Sequence, residues 1–178
     1  MKAIIHTERL TLREFRAGDE EFVVRLVNTP GWLQFIGDRN IKNNDDAQNY
    51  LMSGPITSYV RFGFGLYLVQ INETGKSIGM CGLIKRDAFE DADIGFAFLP
   101  EEAGKGYAYE AALATIKYAK EQLGLNRIIA ITNINNERSI NLLKKLGLHY
   151  EKKVWMQDEN EELLLFANEP ESKRQAQE

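Results

Sequence analysis

The chain has 178 residues, of which 44% are hydrophobic and 27% are charged, and its formal net charge is −4. This length and composition are typical of a single soluble domain that buries a core of its own. The acidic balance gives no general reason to expect a nucleic-acid partner, and it makes a polyanionic ligand unexpected as well.

Cysteine, histidine and apolar-run counts exclude further classes of protein. The single cysteine, Cys81, cannot form an internal disulfide, and with two histidines it leaves too few ligands for a metal cluster. The apolar runs are too short to cross a bilayer, and the N-terminus lacks the apolar segment and cleavage site of a signal peptide. We therefore expect a cytoplasmic protein with no metal and no membrane contact.

The first third of the chain contains one strand and two helices by pattern. Residues 9–15 alternate between apolar and polar, which predicts a half-buried strand. Asp19 precedes an apolar stripe of helical spacing, so we expect Asp19 to cap a helix that Pro30-Gly31 stops. A second helix opens at residue 44 or 45, and Pro55 is expected to kink or break it.

Strands dominate the middle of the chain. Leu66–Ile71 and Ser77–Ile84 flank a polar loop and predict a hairpin, and residues 91–99 predict a third strand. From Gly104 the apolar residues recur at helical spacing, and Gly124 is well placed to end that helix.

A strand, a helix and two strands follow to the end of the pattern. Residues 127–132 form a short β-branched strand, and Asn135 or Asn136 caps the next helix. Residues 149–156 and 162–167 complete the sheet. The element order predicts an α/β (α+β) fold with antiparallel hairpins and at least one right-handed crossover.

The domain organisation is simple because no repeat and no Pro- or Ser-rich linker divides the chain. We expect a single domain over residues 1–168. The last ten residues, 169–178, are polar and charged, which predicts a solvated, disordered tail.

The most informative segment for function is residues 99–108, which joins a predicted strand to a predicted helix. Its two glycines, Gly104 and Gly106, allow the backbone to approach a ligand closely. The helix that follows offers unpaired N–H groups and a positive dipole end, which suit a phosphate or pyrophosphate. A plain glycine turn before a helix is the alternative. A nucleotide-binding P-loop is disfavoured because Tyr107 stands where such a loop needs Lys followed by Ser or Thr.

Five segments, in order, resemble the GNAT superfamily of acetyl-CoA-dependent N-acetyltransferases and within it the RimJ/RimL-like branch. They are TERLTLR at 7–13, FIGDR at 35–39, DIGF with LPE between 93 and 101, GKGYAYEA at 104–111, and NERSI with LKKLGL between 136 and 148. The resemblance runs from residue 7 to about residue 167. It implies a GNAT-like, mostly antiparallel central sheet with a splayed pair of parallel strands, 93–99 and 127–132, and flanking helices.

The resemblance also implies a cofactor site for acetyl-CoA, bound as a co-substrate without a metal. The pantetheine arm would hydrogen-bond to the strand backbone at Phe96, Ala97 and Phe98, and Asn136 and Ser139 would reach it from the following helix. The pyrophosphate would lie on the backbone amides of the loop, at Ala103, Gly104, Lys105, Gly106, Tyr107 and Ala108. The loop departs from the family in having Ala103 where Gln or Arg is usual, and we expect this to weaken binding without abolishing it.

Two residues are candidates for catalysis. Acetyl transfer needs a neutral amine, and an α-amino group is only about one-tenth neutral at pH 7, so the reaction calls for a base. The resemblance implies Asp93 as the candidate base, ahead of Asp91 and Glu101, because related enzymes often carry an acidic residue at the start of this strand. A solvent-facing strand-end carboxylate is its alternative interpretation. Many relatives carry a tyrosine acid where this chain has Leu143. Resemblance to the RimJ/RimL-like branch makes Ser139 the candidate proton donor in its place. The alternative is that Ser139 only satisfies a backbone group in the first turn of its helix.

The sequence therefore predicts an acetyl-CoA-dependent N-acetyltransferase acting on a primary amine, either a protein N-terminus or a small molecule, through direct attack in a ternary complex. The alternative is an acyl-CoA-binding protein without transferase activity, suggested by the missing tyrosine. A homodimer is expected by resemblance only. Residues 103–145 hold seven basic and three acidic residues, so the segment proposed to bind phosphates is the basic part of an acidic chain.

Overall fold

A computed structural model describes residues 3–157 and 160–169. The strands of this part are β1 (Ala3–His6), β2 (Leu10–Arg13), β3 (Leu66–Ile71), β4 (Ser77–Ile84), β5 (Ala92–Phe98), β6 (Ile128–Thr132), β7 (His149–Met156) and β8 (Glu161–Ala167). They form one sheet in the order β1-β2-β3-β4-β5-β6-β8-β7. Each neighbouring pair is antiparallel except β5 and β6, which run parallel. The predicted α/β (α+β) class with one parallel pair is confirmed.

Helices cover both faces of this sheet. They are α1 (Glu20–Val27), α2 (Pro30–Phe35), α3 (Asn44–Leu51), α4 (Thr57–Phe62), α5 (Tyr107–Leu123) and α6 (Glu137–Lys145). One buried cluster joins Ala111, Ala112 and Leu143 of α5 and α6 to strand residues such as Ile94. A second joins α1, α2 and α3 to Met80 on the sheet. Helices α5 and α6 thus cover one face, and α1, α2 and α3 cover the other.

Three local predictions are corrected by tertiary contacts. The strand β1 was not predicted, because its four residues are too few for a pattern and owe their conformation to pairing with β2. Pro30 opens α2 at a first-turn position, where its fixed φ and missing N–H suit a helix start. Pro55 does not end the helical segment, because a π-helical turn at Met52–Ile56 connects α3 directly to α4.

Asp19 occupies the predicted N-cap position of α1, but its side chain makes no capping hydrogen bond. Its carboxylate instead accepts two hydrogen bonds from the Arg13 guanidinium, both at 2.8 Å, and one from the Arg16 N–H at 2.9 Å. Arg13 and Asp19 are both buried. The residue predicted to be a helix cap is therefore half of a buried ion pair that fixes β2 to the start of α1.

The C-terminal prediction lies mostly outside the described residues. Glu169 is the last residue of the structure, so the tail predicted for 169–178 stays a prediction. Within the described ranges, no helix is long and apolar enough to cross a membrane.

Candidate functional site

The parallel strands β5 and β6 separate immediately after they meet. Residue pairing joins only Ala92 to Ile128 and Asp93 to Ile129, although β5 continues to Phe98. We call the gap between the two strands beyond Asp93 the fork. The predicted splayed strand pair is confirmed, and its narrow end lies at Asp93.

The backbone of β5 presents alternate residues to the fork. The N–H of Leu99 donates to the carbonyl of Ile78 in β4 at 2.9 Å, so the backbone groups of Leu99 face β4. Because backbone groups alternate along an antiparallel ladder, Ala97 also faces β4, while Phe96 and Phe98 face the fork. Of the three residues predicted to pair with pantetheine, Phe96 and Phe98 have backbone groups on the required side, and Ala97 does not.

The wide end of the fork leads into the glycine loop. Gly104 and Gly106 have φ of 77° and 81°, values that glycine adopts without strain, and Gly106 is the N-cap of α5. The N–H groups of residues 104–109 donate to no described residue. Six successive amides at a helix start, without acceptors and next to left-handed glycines, form an anion-binding concavity.

Ala103 and Lys105 take part in this loop differently from the prediction. The Ala103 N–H already donates to the Pro100 carbonyl at 3.1 Å, so its amide is committed and the open amides begin at Gly104. The Lys105 ammonium donates to the Glu102 carboxylate at 2.8 Å. Its positive charge is therefore partly neutralised, while its backbone N–H stays open.

Glu102 supports the loop through two ion pairs, and this role was not predicted from the sequence. The Glu102 side chain is 3% exposed and accepts from the ammonium groups of Lys105 and Lys76. Those hydrogen bonds lower the pKa of the Glu102 carboxyl against the effect of its burial. The sequence around Glu102 did not indicate this role, because its partner Lys76 lies in the hairpin loop between β3 and β4, 26 positions away in the chain.

Asn136 and Ser139 lie together at the start of α6. The Asn136 Oδ1 accepts the Ser139 N–H at 3.2 Å, which confirms the predicted cap. Both residues are partly exposed, and the Ser139 hydroxyl donates to no residue that the structure describes. The capping explanation accounts for the Asn136 carbonyl oxygen, and it leaves the Ser139 hydroxyl available for a ligand.

Asp93 is buried at the narrow end of the fork. Its side chain is 2% exposed, and its Oδ2 accepts from the Nε of Arg86 at 2.7 Å. The alternative interpretation of Asp93 as a solvent-facing carboxylate is therefore wrong, and its role as a base stays a prediction. Its neighbour Ile94 packs with α5 and α6, so alternation places the Asp93 side chain on the opposite face of the sheet. The Asp93 side chain thus lies on one face of β5, whereas Ser139 belongs to α6, which covers the other face of the sheet.

Cys81 is the only cysteine of the chain and is fully buried in the core between β4 and α5. Burial raises the pKa of its thiol to about 12, although a hydrogen bond with Thr115 works in the opposite direction. Cys81 is therefore a core residue and not a reactive thiol.

A consequence of this burial is that the native protein should not react with a disulfide reagent at pH 8, because thiolate is the reactive species. We expect one thiol to be titrated only after unfolding in guanidinium chloride. Rapid labelling of the folded protein would contradict the burial of Cys81.

A surface pocket of about 240 Å³ lies between the segment after α2 and the start of β8. Its lining residues are Gln34, Phe35, Ile36, Gly37, Asp38, Arg39 and Glu161. Phe35, at the end of α2, is the large aromatic residue in this lining. Trp32 is buried in the second core, and the Tyr59 hydroxyl donates to the Leu66 carbonyl.

Comparison with known proteins decides the family. Residues 9–149 match the Acetyltransferase (GNAT) domain. The chain belongs to the GNAT acetyltransferase family. The match includes the loop, the fork and the start of α6, so the family resemblance and the geometry concern the same residues.

Relatives and solved structures agree with this assignment. Uncharacterized protein YkkB of Bacillus subtilis (strain 168) is 30% identical over 95 residues, 52% of this chain and 55% of that protein, so this alignment spans about half of each. The uncharacterized N-acetyltransferase YnaD of the same strain is 28% identical over 147 residues, 83% of each chain.

Two solved structures share the fold at low identity. An acetyltransferase from Agrobacterium tumefaciens str. C58 has a TM-score of 0.80 and 22% identity, covering 96% of this chain and 95% of that one. RimL, a ribosomal L7/L12 alpha-N-protein acetyltransferase in complex with coenzyme A, has a TM-score of 0.78 and 15% identity, covering 93% and 97%. The GNAT acetyltransferase described here therefore has RimL among its structural relatives.

The positive charge of residues 103–145 is partly neutralised in the folded structure. Two basic residues of the segment 103–145 are neutralised by acids outside it, Lys105 by Glu102 and Arg127 by Asp91 and Glu151. Backbone amides, rather than lysine side chains, are the open donors of this GNAT loop. Among residues 3–157 and 160–169, no cluster of side chains is arranged to hold a metal ion.

Proposed function

We propose that this GNAT acetyltransferase moves the acetyl group of acetyl-CoA to a primary amine by direct attack within a ternary complex. The single observation that carries the proposal is the row of open amides at residues 104–109 at the wide end of the fork. A diphosphate placed there would be met by several N–H donors and the positive end of the 17-residue helix α5.

The residues present fit acetyl-CoA along its length. From the diphosphate, the pantetheine arm would enter the fork beside the backbone groups of Phe96 and Phe98, which β6 does not pair. Asn136 and Ser139 would approach the arm from α6. Acetyl-CoA supplies an activated acyl group on a thiolate that leaves readily, so a dedicated acid matters less than a base.

Asp93 would serve as the base at the narrow end of the fork. It would accept the proton of the incoming ammonium, directly or through water, so that the neutral amine attacks the acyl carbon. The amine would arrive from the pocket between residues 34–39 and Glu161, where the Glu161 carboxylate suits a cation and Asp38 is already paired with Lys42. Both a peptide N-terminus and a small amine fit this chemistry.

The direct experiment measures CoA thiol release from acetyl-CoA with a panel of amines that includes peptides with free N-termini and polyamines. Because Cys81 is buried, a thiol reagent should report CoA and not the protein. We expect release that depends on the amine, with an acetylated product found by mass spectrometry. Binding of acetyl-CoA with no release across the panel would instead support an acyl-CoA-binding protein without transferase activity.

The amide row can be tested at Gly104. A Cβ at this position has open space but forces alanine into the left-handed region, at a cost of about 1–2 kcal/mol. We expect Gly104→Ala to relieve that strain by turning the loop amides, which should weaken acetyl-CoA binding about tenfold, the loss of roughly one hydrogen bond to a charged group. Calorimetric titration gives the affinity.

Gly124→Ala is the matched control for this variant. Gly124 ends the same helix with φ of 67° and also has open space at its Cβ, so the strain is similar. We expect both variants to lose similar stability in thermal unfolding, while only Gly104→Ala loses affinity. Equal affinity of the two variants for acetyl-CoA would place the diphosphate away from the loop.

A further inference from the structure

The turn between β1 and β2 reaches the glycine loop through Arg9. The Arg9 Nη1 donates to the backbone carbonyl of Lys105 at 2.9 Å, across 96 positions of sequence. The guanidinium also lies 4.7 Å from the ring centre of Tyr107, the first residue of α5. A Cβ added to Gly106 would lie 3.3 Å from the Arg9 Nη2, so the cation packs directly against the loop.

Glu110 fixes the other edge of this guanidinium. The Arg9 Nε donates to Glu110 Oε2 at 2.6 Å, and the Arg9 backbone N–H donates to Glu110 Oε1 at 2.9 Å. The Thr7 hydroxyl donates to the same oxygen at 2.6 Å. Burial works to raise the pKa of the Glu110 carboxyl, but these hydrogen bonds outweigh it and lower the pKa, which keeps the carboxylate charged.

Because the peptide bond is planar, the hydrogen bond from Arg9 to the Lys105 carbonyl also fixes the direction of the Gly106 N–H. In a trans peptide, the carbonyl of Lys105 and the N–H of Gly106 lie in one plane and point in opposite directions. A guanidinium that holds the Lys105 carbonyl on one side therefore turns the Gly106 N–H to the other side. Gly106 lies among the open amides of residues 104–109.

We propose that Arg9 is a positioning residue for the diphosphate of acetyl-CoA, acting by locking the Lys105–Gly106 peptide plane so that the Gly106 N–H faces the ligand. The inference rests on the proposed function, because it assigns Arg9 to the same loop. It explains how the loop keeps a guanidinium although residue 103 is alanine: the cation comes from the turn at residues 7–9.

The test compares two acetyl donors, acetyl-CoA and acetyl-pantetheine, which has the same thioester and no diphosphate. We expect Arg9→Gln to raise KM for acetyl-CoA about tenfold, with kcat and the KM for acetyl-pantetheine unchanged. Arg9→Lys keeps the positive charge, but an ammonium group lacks the planar set of donors with which the guanidinium bridges the Lys105 carbonyl and the Glu110 carboxylate. We therefore expect Arg9→Lys to restore the KM for acetyl-CoA only in part.

The matched control is Arg25→Gln, which removes an exposed ion pair with Glu101 at the other side of the loop. We expect it to leave both donors unchanged. Glu110→Gln should act like Arg9→Gln, and the double variant should lose less than the sum of the two single losses, because the two residues act as one unit.

The outcomes separate the inference from the proposed function. If Arg9→Gln impairs both donors equally, or neither, the positioning role is overturned while acetyl transfer stands. If the wild-type enzyme fails to prefer acetyl-CoA over acetyl-pantetheine, the loop does not bind the diphosphate, and the proposed site and the role of Arg9 fall together. Thermal unfolding of each variant identifies any loss that comes from misfolding.

Discussion

Asp93→Asn should lower kcat for acetyl transfer at pH 7 by about 10²–10⁴, the range typical for loss of a general base. The amide keeps the size of the side chain but cannot accept the proton of an ammonium. Since Asp93 lies on the face opposite α5 and α6, the KM for acetyl-CoA should change little. Steady-state kinetics with saturating amine measures both quantities.

The pH dependence provides a sharper form of this test. An α-amino group has a pKa of about 8, so above about pH 9 most of the acceptor is already neutral. The advantage of the wild-type enzyme over Asp93→Asn should therefore shrink as the pH rises through the pKa of the amine. A rate ratio that stays constant from pH 6 to 10 would show that Asp93 supports the structure without taking the proton.

Asp91→Asn is the matched control, since it makes the same change two residues away. The Asp91 Oδ2 accepts from the Arg127 Nε at 3.0 Å, in an ion-pair group that also contains Glu151. We expect this variant to lose some stability and to keep its kcat. If both asparagine variants lose kcat to the same extent, the base lies elsewhere.

The second large effect is on stability. Asp19→Ala should lower the free energy of unfolding by about 3–5 kcal/mol, because it leaves the Arg13 guanidinium buried without its carboxylate. For a chain of this length, that corresponds to a fall in Tm of roughly 6–20 °C. Calorimetry or circular dichroism measures the shift.

Two further variants show the cause of this loss. Asp38→Ala removes an ion pair with Lys42 in which both side chains are about half exposed, and it should cost less than about 1 kcal/mol. The double variant Arg13→Met with Asp19→Leu replaces the buried pair by apolar groups and should regain much of the lost stability. A similar loss for Asp19→Ala and Asp38→Ala would mean that burial of the Arg13 ion pair is unimportant.

Local sequence patterns predicted most elements because their signals involve neighbouring residues. The apolar runs of Leu66–Ile71 and Ser77–Ile84 around a polar loop, the helical spacing before Gly124 and the cap at Asn136 each lie within a few positions. Local patterns gave a wrong prediction where one residue is compatible with two different backbone conformations. Pro55 lies inside a π-helical turn, since the same proline suits a break or a widened turn.

Some features of the candidate site could likewise be predicted from the sequence, and others depend on tertiary contacts. Sequence alone identified the glycine loop, the strands of the fork and the family, because motif order and spacing are properties of the chain. Only the tertiary structure decided which amides are open, that Ala97 faces β4, and that Asp93 is buried against Arg86. It also revealed Arg9 and Glu102 as supports of the loop. These contacts join residues far apart in sequence, and they depend on strand order and packing, which local residue preferences do not encode.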